Sequence, residues 1–182
     1  MLEGHRNRAL VALLADSGLR KEELRRLRLG DLDLARRLIH VHAGKGQKDG
    51  TAFFGETTAA LVRRWLAVHP APVPAAPLCC GRDGAMLGPA AILRILHRLF
   101  MRACLPQKIG PHALRHYAAT SLMRRTGDLE LVRRVLRHES LTMALRYAAL
   151  TQTEVAAKFL HASPLDHLRV SAVKRRGVTA EM

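Results

Sequence analysis

Leu38-Ile39-His40-Val41-His42-Ala43-Gly44-Lys45-Gly46-Gln47-Lys48-Asp49-Gly50-Thr51-Ala52-Phe53-Phe54 is the stretch that breaks an otherwise helical pattern. Two short runs, Leu38–His42 and Thr51–Phe54, flank a polar, glycine-rich tip, the pattern of a β-hairpin with an extended turn. On the N-terminal side, Arg6–Ala15 is apolar on a helical period and stops at the breaker cluster Asp16-Ser17-Gly18. Leu24 and Leu27 then give Lys21–Arg28 one apolar face, and Gly30-Asp31 ends it. On the C-terminal side, Glu56–Val68 is amphipathic through Leu61, Val62, Trp65 and Leu66. Pro70, Pro72, Pro74 and Pro77 make a stiff connector, too short to separate a pair of sizeable domains. Helical periodicity returns over Pro89–Cys104, His112–Arg125, Leu129–Arg137 and Leu141–Leu150, with a last amphipathic stretch at Thr153–Leu160. The expected fold is mainly α with one small antiparallel β-sheet (α+β), in a single domain over residues 1–165. Residues 166–182, with the run Lys174-Arg175-Arg176, are expected to form a basic, flexible tail.

Composition narrows the function. The 182 residues suffice for one domain with a proper core, and 48% of them are hydrophobic, so the chain is not a disordered polycation. Lys plus Arg is 30 against 15 for Asp plus Glu, a formal charge of +15, which points to a polyanion and by default to nucleic acid. Apart from Lys21, Lys45, Lys48, Lys108, Lys158 and Lys174, the basic residues are arginines, suited to planar bidentate contacts with phosphate. With 4 Phe, 2 Tyr and 1 Trp, the chain is too poor in aromatics for a base-stacking platform. No apolar run reaches the ~20 residues needed to cross a bilayer, and residues 1–15 lack a signal-peptide pattern. Cys79, Cys80 and Cys104 form no C-x-x-C pair and read as reduced thiols or small core residues. These features exclude a membrane protein and a secreted disulfide scaffold, and they predict a cytoplasmic, nucleoid-associated protein.

Four groups of residues can carry chemistry. In Pro111-His112-Ala113-Leu114-Arg115-His116, spacings of three and four place His112, Arg115 and His116 on one helical face. Pro111 marks the helix start, where anions are favoured. Taken singly, this is a phosphate site, a solvated basic face or a capping histidine. In Ser17-Gly18-Leu19-Arg20-Lys21-Glu22-Glu23-Leu24, Arg20 opens a helix with Glu23 one turn on, a spacing equally met in surface ion pairs. Gly44-Lys45-Gly46 puts a lysine on the hairpin tip, and no P-loop pattern surrounds it. Leu136-Arg137-His138-Glu139 precedes Tyr147, which stands nine residues after His138 and by itself reads equally as a core tyrosine.

In this order the four groups resemble the catalytic domain of the tyrosine recombinases, the phage integrase family. That family's pattern runs T/S-G-L-R-x-x-E-L, G-K-G in a hairpin, H-x-L-R-H, L-G-H-S, and a tyrosine nine residues after that histidine. Here it reads SGLRKEEL, GKGQK, HALRH, LRHE and Tyr147, and Arg6-Asn7-Arg8-Ala9-Leu10 matches the usual first helix. The resemblance covers about residues 5–160. It implies that Arg20 and Arg115 grip the scissile phosphate, Lys45 is the hairpin lysine, and His112 and His138 are the two active-site histidines. It also implies that Tyr147 is the nucleophile, that Glu23 braces Arg20, and that His116 is a supporting position. Two places depart from the pattern: Arg137 and Glu139 flank His138 where Gly and Ser are usual, and Gly50 stands where the second hairpin strand usually has Arg. The N-terminal core-binding domain usual in the family is expected to be absent.

The function this implies is site-specific cleavage and rejoining of double-stranded DNA through a 3′-phosphotyrosine, without metal, cofactor or ATP, by protomers that self-associate on DNA. Two other readings stay open, a non-catalytic or decayed DNA-binding module and a type IB topoisomerase-like enzyme. The residue types suit the chemistry. A phenol of pKa near ~10 needs help to ionise, and a histidine of pKa near ~6.5 can supply it. Paired guanidiniums meet the charge that builds on the phosphate, and a positioned lysine can protonate the leaving 5′-oxygen.

Overall fold

The structure, a computed structural model, describes residues 2–42, 49–105 and 110–137. The chain divides into two units, Met1–Ala148 and Ala149–Met182, and all described residues belong to the first. Lys45, His138, Tyr147, the expected helix Leu141–Leu150, the stretch Thr153–Leu160 and the expected tail lie outside the described residues.

Helix α1 (Leu2–Ser17) buries Ala9, Leu10, Leu13 and Leu14, which recur at helical spacing. Burying side chains the size of leucine stabilises by about 1.5–3 kcal/mol each. The helix stops where Gly18 turns into the left-handed region at φ +62°. Asp16, near its last turn, caps the next long helix: Asp16 Oδ2 accepts from the Gly55 N–H and from Thr58 Oγ1, each at 2.7 Å. Helix α2 (Lys21–Arg26) follows, ending two residues earlier than its leucine spacing suggests, because the chain from Leu27 onward bonds elsewhere. The Leu78 N–H donates to Leu27 O at 2.8 Å, the Leu29 N–H to Ala76 O at 2.9 Å, and the Gly30 N–H to Pro74 O at 2.8 Å. The proline-rich connector is thus docked along residues 27–30 and belongs to the fold.

After a 3-10 turn (Leu29–Asp31) come β1 (Leu32–Asp33), β2 (Leu38–Val41) and β3 (Gly50–Phe53), an antiparallel sheet in the order β1-β2-β3. The two strands expected of the hairpin pair antiparallel, the tip over residues 43–48 lies outside the described residues, and β1 is an addition. Register pairs Ile39 with Leu32 on one side and with Ala52 on the other. Ile39, Val41 and Ala52 face the core while His40 faces out, the alternation expected of a sheet with one wet face. Helices α3 (Glu56–Leu66), α4 (Pro89–Arg102), α5 (Pro111–Thr126) and α6 (Leu129–Leu136) complete the described unit. Helix α1 packs on α3 and α5, α2 on α4, and α6 on both α5 and β3. Trp65 is fully buried and its indole N–H donates to Leu78 O at 3.0 Å. Cys79 and Cys80 are buried beside it in the same core, and Cys104 is exposed. A smaller cluster, Ala119, Met123, Val132 and Leu136, joins α5 to α6. The fold is therefore mainly helical with a small antiparallel sheet. No helix among the described residues is long and apolar enough to cross a membrane.

Candidate active site

Three segments distant in sequence meet at the end of α6. The turn Gly18-Leu19-Arg20 leads into α2, Arg115 lies in the second turn of α5, and Leu136-Arg137 closes α6. Arg115 is buried, and its guanidinium donates to two backbone carbonyls: to Gly18 O through Nη1 and to Leu136 O through Nη2, the latter at 2.6 Å. These are charge-assisted bonds, so they fix the plane of the fork as well as its position. Gly18 is required at this junction twice over. Its φ is left-handed, and a Cβ there would fall 2.6 Å from Leu136 Cδ2.

Arg20 occupies the N-cap of α2, a place usually held by a short polar side chain, and leaves its guanidinium free of capping duty. Glu23, at the third helical position, does the capping by reaching back: its Oε2 accepts from the Arg20 N–H at 2.7 Å. Its Oε1 accepts from Arg20 Nη1 at 2.9 Å, so one carboxylate holds backbone and side chain of the same arginine. Burial by itself would raise the Glu23 carboxyl. The guanidinium of Arg137, the Arg20 N–H and the Arg20 guanidinium outweigh it and hold the group below the ordinary carboxylate range.

Arg137 is the residue that sequence reasoning missed as a site member. It stands just after α6 in the left-handed conformation (φ 54°), and its Nη2 donates to Glu23 Oε2 at 2.6 Å. The two side chains are only 14% and 13% exposed, so this is a largely desolvated ion pair across 114 residues of sequence. Arg20, Glu23, Arg137, Leu136 and Arg115 form one connected set, and the two arginines singled out from the sequence are linked through it.

His112, Arg115 and His116 all lie on α5 at helical spacings of three and four, but they differ in exposure. His112 and His116 are exposed on α5, whereas Arg115 between them points inward to its two carbonyls. A spacing of three or four residues aligns side chains along a helix only roughly, and the carbonyls of Gly18 and Leu136 decide the direction of the arginine. Pro111 is the first residue of α5, as its position before the motif predicts. Tyr117, which follows His116, is exposed and lines a cleft with Phe53, Phe54 and Arg125.

Comparison with known proteins bears on this arrangement. A match to the phage integrase family spans residues 2–154. The tyrosine recombinase XerC of Syntrophus aciditrophicus (strain SB) is 32% identical over 172 residues, covering 88% of this chain and 54% of that protein. The XerC of Mycobacterium sp. (strain KMS) is 35% identical over 163 residues, covering 87% and 54%. The chain thus spans about half the length of the curated relatives it matches. Among solved structures, that of XerA recombinase superposes with a TM-score of 0.76 at 28% identity, over 88% of this chain and 57% of the other. The XerH site-specific recombinase bound to difH substrate, in a pre-cleavage complex, gives 0.70 at 27% identity, over 90% and 48%.

Proposed function

This chain belongs to the phage integrase family, the tyrosine recombinases, and on that premise we propose that it cleaves and rejoins double-stranded DNA through Tyr147. The observation that carries the reading is the linked pair of arginines. Arg115 is clamped by two carbonyls and Arg20 by one carboxylate, so both guanidiniums are held before any substrate arrives. Preorganised donors of this kind stabilise charge developing on phosphate oxygens without a cost of reorganisation during reaction.

In this mechanism the Tyr147 oxygen attacks the scissile phosphorus as its proton passes to a histidine, His112 or His138. The P–O5′ bond breaks, Lys45 delivers a proton to the departing 5′-oxygen, and a 3′-phosphotyrosyl ester remains. A DNA 5′-hydroxyl then reverses the attack and reseals a strand, so no ATP is consumed because the ester keeps the bond energy. Arg20 and Arg115 meet the phosphate charge, which assigns no step to a metal. The remaining arginines hold duplex backbone, so binding weakens steeply with salt. Residues 1–165 form the catalytic domain in this reading, and protomers assemble on paired sites.

Incubation with nicked or suicide DNA followed by denaturing electrophoresis tests the proposal. A slow-moving covalent band, lost in Tyr147→Phe, supports it. DNA binding with no such band leaves a non-catalytic DNA-binding module. Covalent complex with relaxation of supercoils and no exchange of partner strands leaves a topoisomerase-like enzyme.

A further inference from the structure

Three unfavourable features converge on one side chain. Arg137 adopts a left-handed backbone, a conformation that favours glycine. Its Nε is buried and meets no acceptor among the described residues. Its stem lies across the first residue of β3, where Gly50 weakens the strand and where a Cβ would fall 2.7 Å from Arg137 Cδ and 3.6 Å from Cγ. Gly50 has no left-handed φ, so glycine is needed there for space alone. The guanidinium donates through Nη1 to Val135 O at 3.2 Å and through Nη2 to Glu23 Oε2 at 2.6 Å, the second on the same oxygen that accepts the Arg20 N–H. Strain kept in a folded protein at a site of this kind is a pointer to function.

We propose that Arg137 is a positioning residue for DNA cleavage, laid over Gly50 so that it locks the Glu23 carboxylate and, through it, the Arg20 guanidinium. Arg137 and Gly50 then act as one unit, since any side chain at position 50 displaces the stem that carries the guanidinium to Glu23. The depressed Glu23 carboxyl, to which the Arg137 charge contributes, agrees with that geometry. The catalytic side of the inference rests on the proposed role of Arg20. The pairing itself does not.

The test uses the full chain with Arg137→Gly, Gly50→Ala and the double variant. Glycine is the preferred residue at a left-handed helix end, which offsets part of what losing the largely desolvated ion pair costs, so Arg137→Gly is expected to fold but to melt below the parent, and every readout is taken below its melt. Three readouts are taken: the Glu23 carboxyl titration followed by 13C NMR, the single-turnover rate of covalent-complex formation, and DNA affinity. The Glu23 titration is expected to move up in both single variants and no further in the double. The cleavage rate should fall on the order of 10²-fold, the loss typical of a reacting group displaced by about an ångström, with DNA affinity unchanged. An unmoved Glu23 titration in Arg137→Gly overturns the proposal, as does a Gly50→Ala effect that adds in full to the double variant. A loss confined to DNA affinity makes Arg137 an ordinary phosphate contact and overturns it too. If the parent protein forms no covalent complex, the cleavage reading falls, and the titration arms still decide the pairing.

Discussion

Replacing Gly18 by alanine places a methyl group at the junction on which both arginines depend. Two costs add. A residue with a Cβ in the left-handed region loses roughly 1–2 kcal/mol relative to glycine. The new Cβ would also fall 2.6 Å from Leu136 Cδ2, and overpacking of that kind costs about 1–3 kcal/mol. Together they remove about 2–5 kcal/mol, a large fraction of the ~5–15 kcal/mol that holds a domain folded. For a chain of this size each kcal/mol moves Tm by about 2–4 °C, so Gly18→Ala should melt on the order of 10 °C below the parent. Leu136 is fully buried, so relief has to come from a turn of its side chain within the core or from a shift of the end of α6, and the shift carries Leu136 O off Arg115 Nη2. Cleavage should therefore fall by more than the unfolded fraction explains at a temperature where the variant is still folded. Gly4→Ala is the control: Gly4 lies within α1 with open space around it, so alanine there should stabilise by about 0.5–1 kcal/mol. Thermal melts by circular dichroism give both numbers. A Gly18→Ala melt within a degree or two of the parent, with cleavage intact, would show that the junction is not the rigid element described.

Further outcomes follow from the same geometry. Arg115→Lys keeps the charge but cannot bridge the Gly18 and Leu136 carbonyls as a planar fork. Its single-turnover cleavage should drop on the order of 10²–10³-fold, the cost of losing a preorganised donor; full activity would take Arg115 out of the phosphate clamp. Lys45→Ala should be slow on ordinary DNA and largely rescued on a 5′-bridging phosphorothiolate, whose thiolate leaves without a proton. An equal defect on both substrates would limit Lys45 to binding. Glu23 has a depressed carboxyl, so its contribution to stability is present above the ordinary glutamate value near ~4.3 and is lost as pH falls through the lower folded value. Glu23→Gln should accordingly flatten the acid limb of a denaturation profile, and an unchanged limb would mean the carboxylate is not braced as the structure has it.

What could be read from the chain, and what could not, divides by range of interaction. Ala9, Leu10, Leu13 and Leu14 declare α1 because their burial repeats with the helical turn. Pro111 declares the start of α5 because proline lacks a donor that the first turn does not need. The two-residue strand Leu32–Asp33 has no period to detect, and it exists because β2 offers its free edge. The docking of residues 74–78 on residues 27–30 is a matter of backbone bonds between distant segments, invisible to any pattern of side chains. The site shows the same split. Arg20 and Glu23 are neighbours on one helix, so their pairing is legible from spacing. Arg137 and Glu23 are brought together only by the packing of α6 on β3 and α5. The signal was nonetheless present in two residues that break the family pattern, a large cation at position 137 and a missing side chain at position 50. In the folded chain the first lies over the second.

The nature of the covalent bond decides whether Tyr147 does the chemistry. The protein is incubated with suicide DNA in the presence of a chelator and trapped under denaturing conditions. The DNA is then digested to a short nucleotide remnant, and the tryptic peptides are sequenced by mass spectrometry. The remnant is expected on the peptide carrying Tyr147, joined through a 3′-phosphate, in unchanged yield with or without the chelator. A remnant on Tyr117, a 5′-linkage, or a complex that forms only when metal is restored would each show that the strand is cut by a different mechanism.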